Sequence, residues 1–452
     1  MKTATADRSN YLFSNRALVT LIIPLIIEQF LNVLVGMADT IMVSNVGEAA
    51  VSGVSLVDSV MLLLINVFQA LATGGAVVAG QYLGRQREKR ACEAANQLVW
   101  FVTLLAVGIM ATMYLGKGFI LHVVFGQIDA DVMHHANIYL LIVNASIPFI
   151  ALYNAGAAIF RSMGNSQVSM KVSMLMDIIN VCGNAILVYG FGCGAEGVAI
   201  PTLISRMVAA ILITVLLLNQ KQLLHIKPSL RYQFRPGLVK KILQNGIPNG
   251  LENSMFQLGK IIVLSLVSTF GTYAITANAV ANTVASFQTI PGMAMNLAIT
   301  TVISQCVGAH DYEQARYYTR KLLKIAYASV VVTVVIMLAA SNLITQAYNL
   351  SDITAAEAIK IFFLHGISVM MIWPTAFSLP STLRAAGDVR FCMITSVTSM
   401  WVCRVVFSYV FGQFFGFGVF GVWMAMILDW WVRAFFFVRR YRGSQWMTKA
   451  LV

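Results

Sequence analysis

Twelve stretches of about twenty predominantly apolar residues follow one another along this chain, separated by charged or Gly/Asn-rich turns. They fall near 17–43, 50–80, 94–116, 136–160, 168–190 and 196–219, then near 242–267, 274–304, 320–345, 358–383, 391–412 and 417–438. A hydrocarbon layer of roughly 30 Å is crossed by about 20 residues of helix. Nothing in that layer can satisfy an open backbone, so each run is expected to close its hydrogen bonds within itself. The expected fold class is an all-α polytopic membrane protein of twelve transmembrane helices, two of them long enough to tilt or kink. Composition agrees: 58% of the 452 residues are hydrophobic and 11% charged, against about 25% charged in soluble domains.

The net charge of +13 would suggest nucleic acid in a soluble protein, but its placement points elsewhere. With both termini on one side, 26 Lys and Arg fall on that side and only Lys117 and Lys360 on the other. Arg206, Lys260 and Arg404 fall within spans. Cations collect on the cytoplasmic side of membrane proteins, so both termini are expected in the cytoplasm, with no nucleic-acid partner. The polar stretch 1–16 runs into the first apolar segment without a small-residue cleavage site, as expected of a retained helix. The six cysteines form no CxxC pair and read as reduced packing residues.

A shift of 224 residues superimposes the chain on itself. Pro24 meets Pro248, Glu28 meets Glu252 and Gly47 meets Gly271; Gln81-x-x-Gly84 meets Gln305-x-x-Gly308, and Gly192 through Val198 meets Gly416 through Val422. Arg161-x-x-Gly164 and Arg384-x-x-Gly387 match with one residue slipped. Six helices per unit make the repeats parallel: a lobe at 17–219, a linker at 220–241 and a second lobe at 242–440. By analogy with other duplicated carriers, a substrate cavity is expected between the lobes. The literal GxGxxG matches at 192–197 and 416–421 have no preceding strand and read as helix-turn glycines. No Walker loop, HExxH or GxSxG occurs; no catalytic residue, metal site or cofactor is expected, and His134–His135 reads as interfacial.

Charges inside a bilayer must face protein or water. The candidates are Glu28, Asp39, Asp58, Asp177, Arg206, Glu252, Lys260, Arg404 and Asp429. At 100° per residue Glu28, Asn32 and Asp39 share a face, with about 16 Å between the ends of the track. Asp177, Asn180 and Asn184 share another, and so do Asn253, Gln257 and Lys260, with Glu252 beside them. Asn278 and Asn282 are an i,i+4 pair. The amides can line a cavity or glue helices together. Glu252 and Lys260 can belong to a relay or neutralise one another. Arg404 and Asp429 read as a structural pair, and Asp39 as functional. A carboxylate facing a wet cavity can bind H⁺ or Na⁺ in competition with a cationic substrate.

Pro24-Leu-Ile-Ile-Glu28 leading to Gly36-Met-Ala-Asp39-Thr40 and Gly47 resembles the opening helix of the MATE (multidrug and toxic compound extrusion) family. So do Gly80-Gln-Tyr-Leu-Gly84, Phe160-Arg-Ser-Met-Gly-Asn165, Gly246-Ile-Pro-Asn-Gly-Leu-Glu-Asn-Ser-Met255 and Leu383-Arg-Ala-Ala-Gly-Asp388. The resemblance covers about 17–440. It implies efflux of cationic or amphipathic small molecules in exchange for Na⁺ or H⁺, with Asp39 as ion-coupling group and Asn180, Asn184 and Thr202 as its companions. Glu28, Asn32, Asp177, Glu252, Asn253, Gln257, Lys260 and Asn282 are the candidate cavity or relay residues. The chain departs from the family pattern at Asn184 and at Phe256, where some relatives carry an acid. Asp39 has Val263 as its repeat partner, and Gly36 has Lys260. The alternative is a lipid-linked precursor flippase of the same superfamily; a membrane-embedded enzyme or channel fits less well. A cavity inside one duplicated chain implies a monomer in the cell (inner) membrane.

Overall fold

In the computed structural model, which describes residues 11–126, 128–227 and 233–452, the apolar runs are helices. The first lobe holds α1 (Asn15–Ser44), α2 (Glu48–Gly84), α3 (Glu88–Leu115), α4 (Ala130–Asn144), α5 (Ile147–Ser162), α6 (Ser166–Gly190) and α7 (Glu196–Leu218). The second holds α8 (Pro236–Ser268), α9 (Thr272–Gly308), α10 (Tyr312–Ala339), α11 (Asp352–Ala385), α12 (Val389–Phe414) and α13 (Gly418–Arg442). Ten of these are individually long and apolar enough to cross a membrane, and α4 with α5 makes one further span bent by 48°. The twelfth, α8, has 33 residues but carries Asn245, Asn249, Glu252, Asn253, Gln257 and Lys260, which dilute its apolar surface. Among the described residues there is no strand. Helix α8 begins at Pro236, inside the stretch expected as linker; residues 228–232 of that stretch, and the topology cations Lys2, Arg8 and Arg231, lie outside the described residues.

Local chemistry explains the ends and breaks. Gly47 and Gly271, which meet at the 224-residue shift, precede α2 and α9 with φ of +136° and +97°, a region costly for any residue with a Cβ. The fourth span of each lobe is interrupted near a proline. Pro148 stands at the start of α5 after the bend, and Pro374 opens a π-turn over Pro374–Ser378, as expected where the helical bonding ladder loses an N–H.

The lobes are joined crosswise. Helix α1 packs on α9 and α8 packs on α2, while α2 and α9 pack on each other. One apolar core lies in the first lobe, joined at the face where the chain ends meet by Leu238 and Ile242 of α8, and another lies within the second, mainly between α8, α9, α11 and α13. A third mixes Leu18, Leu21, Ile22 and Leu25 of α1 with α9, α10 and α13. The lobes therefore share a core only near the face where the chain ends meet. There Leu12 N–H donates to Gln314 Oε1 at 3.0 Å and Leu451 N–H to Gln81 Oε1 at 2.9 Å.

The two Gln-x-x-Gly motifs seal this face reciprocally. Gln81 Nε2 donates to the Ala385 carbonyl at 2.8 Å, and Gln305 Nε2 to the Ser162 carbonyl at 2.7 Å. Each acceptor follows the arginine of a repeated Arg-x-x-Gly. Gly84 lies against the Gln305 carbonyl and Gly308 against that of Gln81, so closely that neither place has room for a Cβ.

Candidate functional site

Each lobe holds two tiers of polar groups within its spans. The tier nearer the sealed face is an ion pair repeated in both lobes. Arg161 Nη1 donates to Glu28 Oε1 at 3.2 Å and to Ser169 Oγ at 3.1 Å, and Ser169 Oγ donates to Glu28 Oε2 at 2.5 Å. In the second lobe Arg384 Nη2 donates to Glu252 Oε1 at 2.6 Å. Both glutamates are buried. The pairs tie α1 to α5 and α6, and α8 to α11, holding in place the segments whose carbonyls the cross-lobe glutamines grip.

The farther tier of the first lobe centres on Asp39, near the end of α1. Asn184 Nδ2 donates to Asp39 Oδ1 at 2.8 Å and lies 3.3 Å from Asn180 Oδ1; Asn180 Nδ2 donates to Thr202 Oγ1 at 3.0 Å, which itself donates to the Val198 carbonyl at 2.7 Å. Residues from α1, α6 and α7 thus form one chain of oxygens and amides ending on a carboxylate. Asp58 and Arg206 act electrostatically on Asp39. Asp58 accepts from the Tyr139 hydroxyl at 2.8 Å, and Arg206 Nη1 donates to Ser146 Oγ at 2.8 Å. Asp177 lies between the tiers, within the field of both Asp39 and Glu28, with its Oδ2 buried and lacking a hydrogen-bond partner.

Glu28, Asn32 and Asp39 lie apart along one face, a track and not one site: Glu28 belongs to the ion pair, Asp39 to the amide chain, and Asn32 is exposed. Other expectations are corrected. Glu252 and Lys260 do not neutralise one another, because Arg384 takes the carboxylate. Arg404 and Asp429 are not the structural pair of the last two helices. Asp429 receives Arg433 Nε at 2.8 Å and the Ser399 hydroxyl. Asn282 Nδ2 donates to the Asn278 backbone carbonyl, not to its side chain, at 2.8 Å, and the Asn278 amide oxygen accepts from Trp423 Nε1 at 3.0 Å. Asn253 and Gln257 are half-buried on α8. Three of the cations counted as flanking, Arg161, Arg384 and Arg433, are instead held in ion pairs, Arg433 buried and the other two half-buried.

Sequence reasoning missed Arg433, Arg384 and Arg161 as partners of intramembrane acids. The i,i+4 spacing of Asp429 and Arg433 was a readable signal, and so was the repeated Glu/Arg-x-x-Gly combination. Nothing in the sequence pointed to Tyr139. The glycines at 192, 416 and 418 occupy helix-connecting turns with φ of +65°, +74° and +57°, as read. His134 and His135 lie on the first turns of α4, their rings 5.7 Å apart.

Comparison with known proteins places this geometry. The MatE family model matches residues 24–186 and 248–410, once in each repeat. The chain is 29% identical to the transporter YisQ of Bacillus subtilis (strain 168), over 99% of this chain and 97% of that one. It is 25% identical to the probable multidrug resistance protein NorM of Thermotoga maritima, over 97% and 94%. Among solved structures, an outward-facing multidrug resistance MATE family transporter of the MOP superfamily superposes with a TM-score of 0.89 at 21% identity, covering 96% of each chain. A MATE in the straight conformation gives 0.88 at 22%, covering 96% and 97%. With the family model matched in both lobes and the twelve-span duplicated fold shared with these transporters, the chain belongs to the MatE family.

Proposed function

We propose that the protein is a secondary active efflux antiporter, exporting cationic or amphipathic small molecules in exchange for Na⁺ or H⁺. Family membership and the multidrug resistance relatives support the transport class. The observation that carries the coupling is the Asp39–Asn184–Asn180–Thr202 chain, one carboxylate joined to neutral oxygens and amides across three helices. A cation arriving at Asp39 displaces the Asn184 amide and finds further oxygens within reach; a cationic substrate competes for the same carboxylate. Asp177, with an unpartnered oxygen, extends the acidic surface toward Glu28. No cofactor or enzyme chemistry enters this reading, and the unit is a monomer.

The reciprocal Gln-x-x-Gly contacts close the face bearing the termini while the lobes keep separate cores beyond it, which supports alternating access by rocking of lobes 17–219 and 242–440 about the 220–241 connection. Cytoplasmic termini in the cell (inner) membrane follow from the excess of Lys and Arg on that side, which persists once the three ion-paired arginines are removed from it.

The test is ethidium efflux from energised vesicles, wild type beside Asp39→Asn, with Na⁺ and pH gradients imposed separately. Export driven by one gradient and abolished in the variant supports antiport through Asp39. Export undiminished in Asp39→Asn moves coupling elsewhere. Absence of export under either gradient overturns the drug-efflux reading in favour of lipid-linked precursor flipping.

A further inference from the structure

The second lobe has a cavity of about 340 Å³ between α8, α9, α12 and α13, lined among others by Lys260, Val263, Asn282, Arg404, Trp423 and Met426. The 224-residue shift gives these positions a meaning. Asp39 falls on Val263, Asp58 on Asn282, Asn180 on Arg404, Thr202 on Met426 and Gly36 on Lys260. All five second-lobe residues line the cavity. It is therefore the repeat-related copy of the Asp39 site, with both carboxylates removed and two cations introduced.

The surroundings leave those cations uncompensated. Lys260 Nζ and the Arg404 guanidinium lie over the Phe256 ring at 5.2 and 5.3 Å, and Arg433 lies over the same ring at 5.3 Å. The acid that acts on Arg404 among the described residues, Asp429, gives Oδ1 to Arg433 and Ser399. Among the described residues, neither Lys260 nor Arg404 forms an ion pair, and Arg404 Nε is buried without a hydrogen-bond partner. His365, the other titratable neighbour, hydrogen-bonds Gln288 and packs edge-on against Trp423. Two like charges held against one aromatic ring and lining one cavity repel one another; an anion between them relieves that repulsion and meets their free donors. Trp423, Val263 and Met426 supply an apolar wall beside the charge.

We propose that this cavity is an anion-binding site, taking the carboxylate, sulfonate or phosphate group of an amphipathic molecule between Lys260 and Arg404 with its apolar body against Trp423 and Met426. The site stands apart from the direction of transport and the coupling ion, so its test is binding alone.

The full chain in nanodiscs of zwitterionic lipid is titrated by fluorescence anisotropy with pyrene-1-sulfonate and with pyrenylmethylammonium, two probes of one body and opposite charge, with empty discs subtracted. The sulfonate is expected to bind more tightly. Lys260→Met and Arg404→Gln, each checked for monodispersity and helix content, are expected to weaken it roughly tenfold or more, since each deletes a charge-assisted contact. Lys260→Arg is expected to restore binding. Repeating the titration with phosphatidylglycerol in the discs separates the sources. Competition by the lipid supports the site with a headgroup phosphate as occupant, and no competition supports a soluble organic anion. Equal binding of the two probes, or sulfonate binding untouched in folded Lys260→Met and Arg404→Gln, overturns the proposal.

Discussion

The crossing of α2 and α9 at Gly84 and Gly308 yields a prediction whose size follows from the packing. A Cβ at position 84 would fall on the Gln305 carbonyl group, with its carbon at 2.8 Å and Ala309 N at 2.9 Å. One at position 308 would meet the Gln81 carbonyl carbon and Cα, each at 2.6 Å. The obstructing atoms are backbone, so no rotamer relieves them. Overpacking of this kind costs about 1–3 kcal/mol; at about 2 kcal/mol, Gly84→Ala or Gly308→Ala shifts the balance away from the sealed arrangement by roughly thirtyfold. Spin labels at Lys89 and Glu313, exposed and related by the 224-residue shift, report the separation of the two helix ends by double electron–electron resonance. The wild type should show one short distance, and either alanine variant a new, longer population. Gly108→Ala is the control: its Cβ meets nothing within 4 Å, and removing glycine from a helix interior should stabilise by about 0.5–1 kcal/mol without moving the labels. Wild-type distances in the folded Gly84→Ala and Gly308→Ala proteins would refute the idea that this close approach seals the face.

The ion pairs give two further predictions. Asp429 and Arg433 have side chains 0% and 3% exposed, so Asp429→Asn should cost about 3–5 kcal/mol by stranding the guanidinium; a large fall in melting temperature is expected, mostly recovered when Asp429→Leu is combined with Arg433→Met. For Glu252 and Arg384, the single changes Glu252→Gln and Arg384→Met should each lower thermal stability, and the double variant should fall short of their sum by more than about 0.5 kcal/mol, the coupling expected of residues in direct contact. Strict additivity in that cycle would show that the contact contributes nothing.

Much of this fold could be read from the chain because its strongest determinants are local. Twenty apolar residues make a membrane helix wherever they stand, and the duplication declares itself because Gly47 and Gly271, or Gln81 and Gln305, serve one backbone purpose twice. Partners across more than a hundred residues were less legible. Arg161 and Arg384 look like loop cations to any count that uses position alone, and only their side-chain contacts across helices show that each neutralises a glutamate. Lys260 and Glu252 sit close in sequence, which leaves both a relay and a mutual pair open. They are eight residues apart on one helix, so about 12 Å separates their Cα atoms, and Arg384 on α11 reaches Glu252 instead. The Asp39 cluster stands between these cases. The resemblance supplied its members, while the order of bonds from Asp39 through Asn184 and Asn180 to Thr202 belongs to the tertiary structure.

The two tiers have diverged to different degrees, and the physics of each accounts for it. The Glu–Arg tier holds the carbonyls that the opposite lobe's glutamines grip, and that grip is reciprocal. Losing one ion pair would loosen a contact the other lobe needs, which constrains both copies alike. The farther tier faces separate cores, so no cross-lobe bond obliges its copies to agree. The first lobe sets four inward-facing acids, Glu28, Asp39, Asp58 and Asp177, against Arg161 and Arg206. The second sets Glu252 and Asp429 against Lys260, Arg384, Arg404 and Arg433. One lobe carries an excess of negative charge and the other an equal excess of positive charge. A field drawn between lobes that meet at only one face favours a guest whose charges are separated in the same sense, a cationic group toward Asp39 and an anionic group toward Lys260 and Arg404.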